Sequence, residues 1–336
     1  REAMSGAWPK LGMAIALGMM LIAGCTAHQA PQRETGGAPS PSAEAATQTE
    51  GEQVDIEDTN GAMAQRSVVH AGDESRIVKA MRKAYRKEKV TIGFIGGSIT
   101  EGAAASAEAN RYAGLTFRWW KDKFPDTPID MVNAGIGATD SYIGVHRVDR
   151  DLLRAQPDFV VVDYAVNDSG SPQVPNQYEG LIRKIMQSGN QPGVMLLFMM
   201  HRDGTNLQWA HGAIGAYYDL PMISFKDGVW PDIEAGRIGW EQLFADDVHP
   251  NDAGHRLVAK FLTDRLEAIY RQIDAWDAAD DAVPGLPEPR TSEGYAHAAL
   301  LTADDIAPVS NSGWKEGETL RFAPGWIADR RGQSIV

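Results

Sequence analysis

The chain of 336 residues contains one cysteine, Cys25. A single thiol excludes an intramolecular disulfide and any cysteine-based zinc site. Positive charge is scarce as well. Against 45 Asp and Glu there are 32 Lys and Arg, a formal charge of -13, with no long basic run. An acidic surface repels phosphate backbones, so no nucleic acid is expected as a partner. Long hydrophobic runs are missing with one exception, Leu11–Gly24 (LGMAIALGMMLIAG), which follows Lys10. That run is too short to cross a bilayer comfortably but long enough for the core of a signal peptide.

The run ends Leu21-Ile22-Ala23-Gly24-Cys25, which resembles the bacterial lipobox, where small residues fit the signal peptidase and the cysteine thiol takes a diacylglyceryl group. Residues 1–25 therefore read as a lipoprotein signal peptide with Cys25 as the lipid attachment site. A plain secretory signal with an incidental cysteine is the alternative. Thr26 rather than Asp follows, which suits export to an outer membrane. The expected location is the cell envelope, lipid-anchored at the outer membrane or cell surface. Residues 26–66 are rich in Ala, Pro, Gln, Glu, Thr and Gly. So few large apolar side chains cannot offset ordering entropy, and a disordered linker is expected. The main globular domain is expected over 67–275. Residues 276–336 form a C-terminal extension that reads as an incomplete or loosely docked β module, its last residues Ser334-Ile335-Val336 lacking a strand partner.

Within 67–275, short β-branched apolar runs alternate with helical spacing. Strands are expected at 90–95, 129–133, 159–164, 194–200 and 222–225, and helices at 76–87, 111–124, 142–154, 178–187, 207–218 and 252–273. This alternation predicts a parallel sheet covered on both faces, with ligands at the carboxyl ends of the strands.

The first strand runs into FIGGSITEG (Phe94–Gly102). A phosphate-binding P-loop needs a lysine after the glycines and none is there, and the dinucleotide fingerprint does not fit. The glycines instead allow a sharp turn that exposes Ser98. Thr100 occupies the second glycine position of a G-x-S-x-G elbow, so that motif is excluded too. Most serines after a strand merely cap helices. Ser98 therefore needs a base and donors from elsewhere. Ala245-Asp246-Asp247-Val248-His249-Pro250-Asn251 offers one: Asp246 can reach back to one ring nitrogen of His249 and leave the other facing a serine. Two further loops follow strands, NAGIGATDS (133–141) and YAVND (164–168). The Asn167 amide can donate to a developing oxyanion, and the glycine-bearing loop can offer a backbone N–H. Turn chemistry is the ordinary reading of both.

Taken together, GGSIT, NAGIGAT, AVND and DDVHP resemble the four ordered blocks of the SGNH hydrolases, also called GDSL-type esterases, over about Val90 to Ile273. The resemblance implies a flavodoxin-like three-layer α/β/α sandwich with a central parallel sheet, followed by a partial β-rich segment. It implies a serine esterase with Ser98 as nucleophile, His249 as base and Asp246 orienting it. The oxyanion donors would be the Ser98 N–H, the Asn167 side chain and a second-block N–H from Ala138 or Gly137. By the family's spacing that last donor falls on Ala138, which can serve if the turn does not need positive φ. Gly97 stands where many members have Asp. No metal or other cofactor is implied, and His201, His211 and His255 read as structural. Asp163 is expected to be paired with a neighbour, and Asp168 to shape the Asn167 turn. The expected reaction is O-deacetylation of a carbohydrate. The alternatives are a short-chain lipid or aryl esterase, or a non-catalytic surface glycan-binding protein. Trp119, Trp120, Trp209 and Trp230 are expected mainly in the core rather than stacked on sugars.

Overall fold

A computed structural model describes residues 56–273 and 282–301, with strands at 311–312, 314–318, 324–328 and 334–335. The expected signal segment with Cys25, and the linker up to residue 55, lie outside the described residues.

The elements run α1 (Ile56–Ser67), β1 (Val68–His70), α2 (Ser75–Tyr85), β2 (Val90–Gly96), α3 (Ser98–Glu101), α4 (Tyr112–Lys123), β3 (Ile129–Gly135) and α5 (Ser141–Asp151). They continue with β4 (Phe159–Asp163), α6 (Val174–Gln187), β5 (Gly193–Phe198), α7 (Gln208–Tyr217), β6 (Met222–Ser224), α8 (Phe225–Glu234), α9 (Trp240–Leu243) and α10 (Asp252–Tyr270). The six strands form one sheet in the order β1-β6-β5-β4-β2-β3. All neighbours are parallel except β1, which pairs antiparallel with β6.

Both faces of the sheet are covered, which is why β2, β4 and β5 are buried throughout and, apart from Thr91 and Asp163, carry no polar side chain. In β4, Phe159 and Val161 enter a core shared with α2, α4, α8 and α10, while Val160 and Val162 enter one shared with α5, α6 and α7. Each such side chain contributes about 1.5–3 kcal/mol on burial. The three-layer α/β/α sandwich is thus present, with one antiparallel edge strand added.

Three expectations need correction. The linker does not extend to residue 66, because α1 is helical and packs on α8 and α10. Its Met63 is fully buried, and Arg66 donates to Gly228 O (2.7 Å) and to Asp232. Residues 282–301 are not loosely docked. Arg76 Nη2 donates to Pro284 O (2.9 Å), Arg183 Nη1 to Pro287 O (2.7 Å) and Tyr217 Oη to Glu288 O (2.9 Å). The buried Glu179 carboxylate accepts from Arg290 N (2.6 Å), Thr291 N (2.7 Å), the Thr291 hydroxyl and Tyr218 Oη. Burial pushes the Glu179 pKa up, but these donors outweigh it and hold the carboxyl below its usual value. Ser334–Ile335 does have a partner: it pairs antiparallel with Asn311–Ser312, and Trp314–Glu318 pairs with Pro324–Ala328.

Candidate active site

Parallel register brings the site together. Gly96 at the end of β2 lies beside Gly135 of β3 and Asp163 of β4, so the loops after all three strands emerge at one end of the sheet. The Ile136 N–H donates to Gly96 O (3.1 Å) and holds the second loop against the first.

Gly97 (φ -88°, ψ -146°) turns the chain from β2 into α3, which starts at Ser98. A Cβ built on Gly97 would lie 2.4 Å from Asn167 Nδ2. Only glycine lets the third-loop amide rest against the backbone that carries Ser98.

His249 comes from the turn before α10. Ala245 N–H donates to His249 O (2.9 Å), Trp240 Nε1 to Asp246 O (2.6 Å) and Arg202 N–H to Asp247 O (2.8 Å). Asn251 caps α10 by accepting from Ala253 N and Gly254 N. The turn is therefore tied on both flanks. Asp246 Oδ1 accepts from Val248 N (2.9 Å) and His249 N (2.7 Å), and Oδ2 accepts from His249 Nδ1 (2.7 Å). Nδ1 carries the proton, so Nε2 is left to accept from Ser98 Oγ at 2.8 Å. Burial raises the Asp246 pKa, but its bonds to the His249 ring and to the two N–H groups outweigh this and hold the carboxyl below its usual range.

The second loop separates its two candidate donors. Gly137 N–H donates to Glu101 Oε2 (2.8 Å). Ala138 N–H makes no hydrogen bond among the described residues, and Ala138 is exposed with φ 59°. The condition that this turn avoid positive φ is not met. Alanine holds a left-handed conformation there, at a cost of about 1 kcal/mol. The Asn167 side-chain amide likewise makes no hydrogen bond among the described residues.

Residues 94–257 match the model of the GDSL-like lipase/acylhydrolase family. A crystal structure of a two-domain esterase active on acetylated mannans is 35% identical, with a TM-score of 0.74, covering 81% of this chain and 74% of that one. The chain belongs to the GDSL-like lipase/acylhydrolase family. The same two-domain esterase co-crystallized with mannopentaose matches at 34% identity and TM-score 0.73, covering 81% of this chain and 73% of that one. Thioesterase 1/protease 1/lysophospholipase L1 of Escherichia coli (strain K12) is 25% identical over 187 residues, which is 53% of this chain and 84% of that protein. As a GDSL-family member the chain is an esterase or acylhydrolase, and its SGNH hydrolase fold agrees with the sheet described above.

One polar contact at the site, Glu101 to Gly137, escaped the sequence reading. Glu101 lies three residues after Ser98, yet nothing in the spacing shows that its carboxylate reaches Gly137. Asp163, expected to be paired, has Oδ1 without a partner, while Oδ2 lies 3.4 Å from Thr100 Oγ1. Desolvation pushes its pKa up to about 7. His255 is structural as expected. It is fully buried, accepts from Tyr112 N (3.3 Å) and donates to Ala103 O (3.2 Å), and burial lowers its pKa. Of the four tryptophans, Trp120 is fully buried and Trp119 and Trp230 pack against the same core, whereas Trp209 is 73% exposed. A polar cleft of about 620 Å³ lined by Lys83, Lys89, Arg154 and Asp158 lies at the opposite, amino-terminal ends of the strands, away from Ser98.

Proposed function

We propose that this esterase removes O-acetyl groups from a carbohydrate through a Ser98–His249–Asp246 triad. The observation that carries the reading is the continuous chain from Asp246 through His249 to Ser98 Oγ, at 2.7 and 2.8 Å, with the Asn167 amide against Gly97. Ser98 Oγ attacks the acetyl carbonyl while His249 Nε2 takes its proton. The oxyanion is held by Asn167 Nδ2, the Ser98 N–H and the Ala138 N–H. Gly137 is set aside because its N–H is already given to Glu101. The tetrahedral intermediate expels the sugar oxygen, which takes the proton from His249. Water, deprotonated by the same ring, then releases acetate and restores Ser98. Asp246 keeps the ring in the required tautomer throughout.

The carbohydrate assignment is supported by the 35% identical esterase active on acetylated mannans. The 25% identical thioesterase and lysophospholipase supports a second reading, a short-chain lipid or aryl ester substrate. A lipid on Cys25 would tether the enzyme at the cell envelope, where polysaccharide is met.

The test is acetate release from acetylated mannan, xylan and pectin by the full chain. Mannan is expected to give the fastest release, and Ser98→Ala to lose at least about 10³-fold in rate. No acetate from any of the three, with turnover of acyl-glycerol or aryl esters, would move the assignment to the second reading. Equal rates for wild type and Ser98→Ala would end the catalytic assignment.

A further inference from the structure

We propose that His211, acting through Asp168, is a positioning residue that holds the two oxyanion-donor loops in a common register; the inference rests on the roles given to Asn167 and Ala138 above. His211 Nε2 donates to Asp168 Oδ2 at 2.8 Å, and Asp168 Oδ1 accepts from Ser141 N at 2.8 Å. One carboxylate thus joins the third loop, where it follows Asn167, to the first residue of α5.

Both ends of this link lead directly to a donor. On the third-loop side, Asn167 N–H and Asp168 N–H both donate to Tyr164 O (3.0 and 3.1 Å). Leu207 N–H donates to Ala165 O (2.8 Å) and His201 Nε2 to Val166 O (3.1 Å). Residues 165, 166 and 168 are therefore all tied to the segment 201–211, and the Asn167 side chain is left free to donate. On the second-loop side, Thr139 Oγ1 donates to Ile136 O (2.7 Å) and Asp140 accepts from Ile143 N (3.0 Å). Ala138 is thus stiffly connected to Ser141. Gln177 Nε2 donates to Ser141 Oγ (2.9 Å) and adds a further brace.

The ring itself is enclosed and stacked. His211 is 1% exposed and stacks on Tyr178 with centroids 3.7 Å apart and planes 2° apart. A fully buried polar pair adds little net stability compared with well-packed apolar residues. Its directional bonds, however, fix where two backbone segments sit. That precision matters for catalysis, since a misplacement of about 1 Å at a reacting centre costs about 10²-fold in rate.

The experiment is a double-mutant cycle on the full chain, followed by p-nitrophenyl acetate hydrolysis. His211→Phe keeps a ring against Tyr178 and removes the donor. It is expected to lower kcat about 10- to 100-fold with KM within about twofold. His211→Gln, which can still donate to Asp168, is expected to recover most of the rate. In an Asn167→Ala background the His211→Phe loss should shrink to at most half on a logarithmic scale, because one of the donors being positioned is gone. Unchanged kcat in His211→Phe, equal losses in both backgrounds, or a His211→Gln enzyme as slow as His211→Phe would each overturn the inference. An Asn167→Ala enzyme at full rate would overturn the oxyanion assignment first and the inference with it. Should His211→Phe fail to fold, Asp168→Asn completes the same cycle and is read by the same criteria.

Discussion

Besides the exposed His70–Asp219 contact, two aspartate–histidine pairs in this domain stand at nearly the same separation and lie near the site. His249 Nδ1 is 2.7 Å from Asp246, and His211 Nε2 is 2.8 Å from Asp168. Their surroundings differ sharply. The His249 and Asp246 side chains are 25% and 54% exposed, the His211 and Asp168 side chains 1% and 0%. The first pair presents its second ring nitrogen to a hydroxyl. The second leaves Nδ1 without a partner among the described residues and spends its carboxylate on a backbone N–H. Pairing distance therefore does not distinguish the proposed proton-transfer dyad from the proposed strut. A ring that shuttles protons must reach substrate and water, and a buried ring stacked on Tyr178 reaches neither.

The strongest way to break this comparison is to remove each carboxylate in turn. Asp246→Asn should lower kcat by about 10³–10⁴-fold, because the ring loses the acceptor that sets its tautomer. Its urea midpoint should barely move, since the Asp246 side chain is half exposed. Asp168→Ala should show the reverse emphasis. It strands a buried His211 N–H and the Ser141 N–H, and at about 1–3 kcal/mol for each unsatisfied donor, about 2–6 kcal/mol of unfolding free energy should be lost in urea titrations. A larger rate loss for Asp168→Ala than for Asp246→Asn would erase the distinction between the pairs.

Asp163 sharpens the contrast, because it is buried with no cation paired to it among the described residues. Its folded pKa of about 7 exceeds the unfolded value of about 4. Between those values the folded state binds the proton that the unfolded state has released. The stability tied to this group is therefore present below about pH 4, declines as pH rises to about 7, and is flat beyond. Asp163→Asn should remove that slope, so the difference between wild type and variant in urea unfolding should change between pH 5 and pH 7.5. A difference that stays constant across this window would contradict the assignment.

The smallest effect concerns the donor loop. Ala138→Gly relieves a positive φ but adds freedom to the unfolded chain, so stability should rise by less than about 1 kcal/mol. With the N–H left in place, kcat on p-nitrophenyl acetate should stay within about twofold. A loss beyond tenfold would mean that the methyl group itself shapes the acyl pocket.

Much of the site was legible as spacing. Ser98 follows a buried strand, Asp246 precedes His249 by one turn, and Asn167 ends a strand, and these local relations survive folding because each lies within a single turn or loop. The choice between Gly137 and Ala138 was not legible, since it depends on how far the Glu101 side chain reaches from a neighbouring loop. Helix α1 was hidden because IEDTNGAMAQRS carries almost no apolar stripe, and Met63 is buried only where α8 and α10 meet it. Helix α8 was hidden because FKDGVWPDIE contains Gly228 and an internal Pro231, both poor helix signals.

By itself, the order of residues determined the parallel strands, the covering helices other than α1, α8 and α9, and the four chemical blocks, because β-branched runs and turn residues act over a few neighbours. Only the tertiary structure decided which second-loop N–H is taken by Glu101, that Asp163 Oδ1 has no partner among the described residues, and which of the two compared aspartate–histidine pairs faces a serine. Those outcomes depend on desolvation and on contacts between segments distant in sequence, from the 36 residues separating Glu101 from Gly137 to the 151 separating Ser98 from His249.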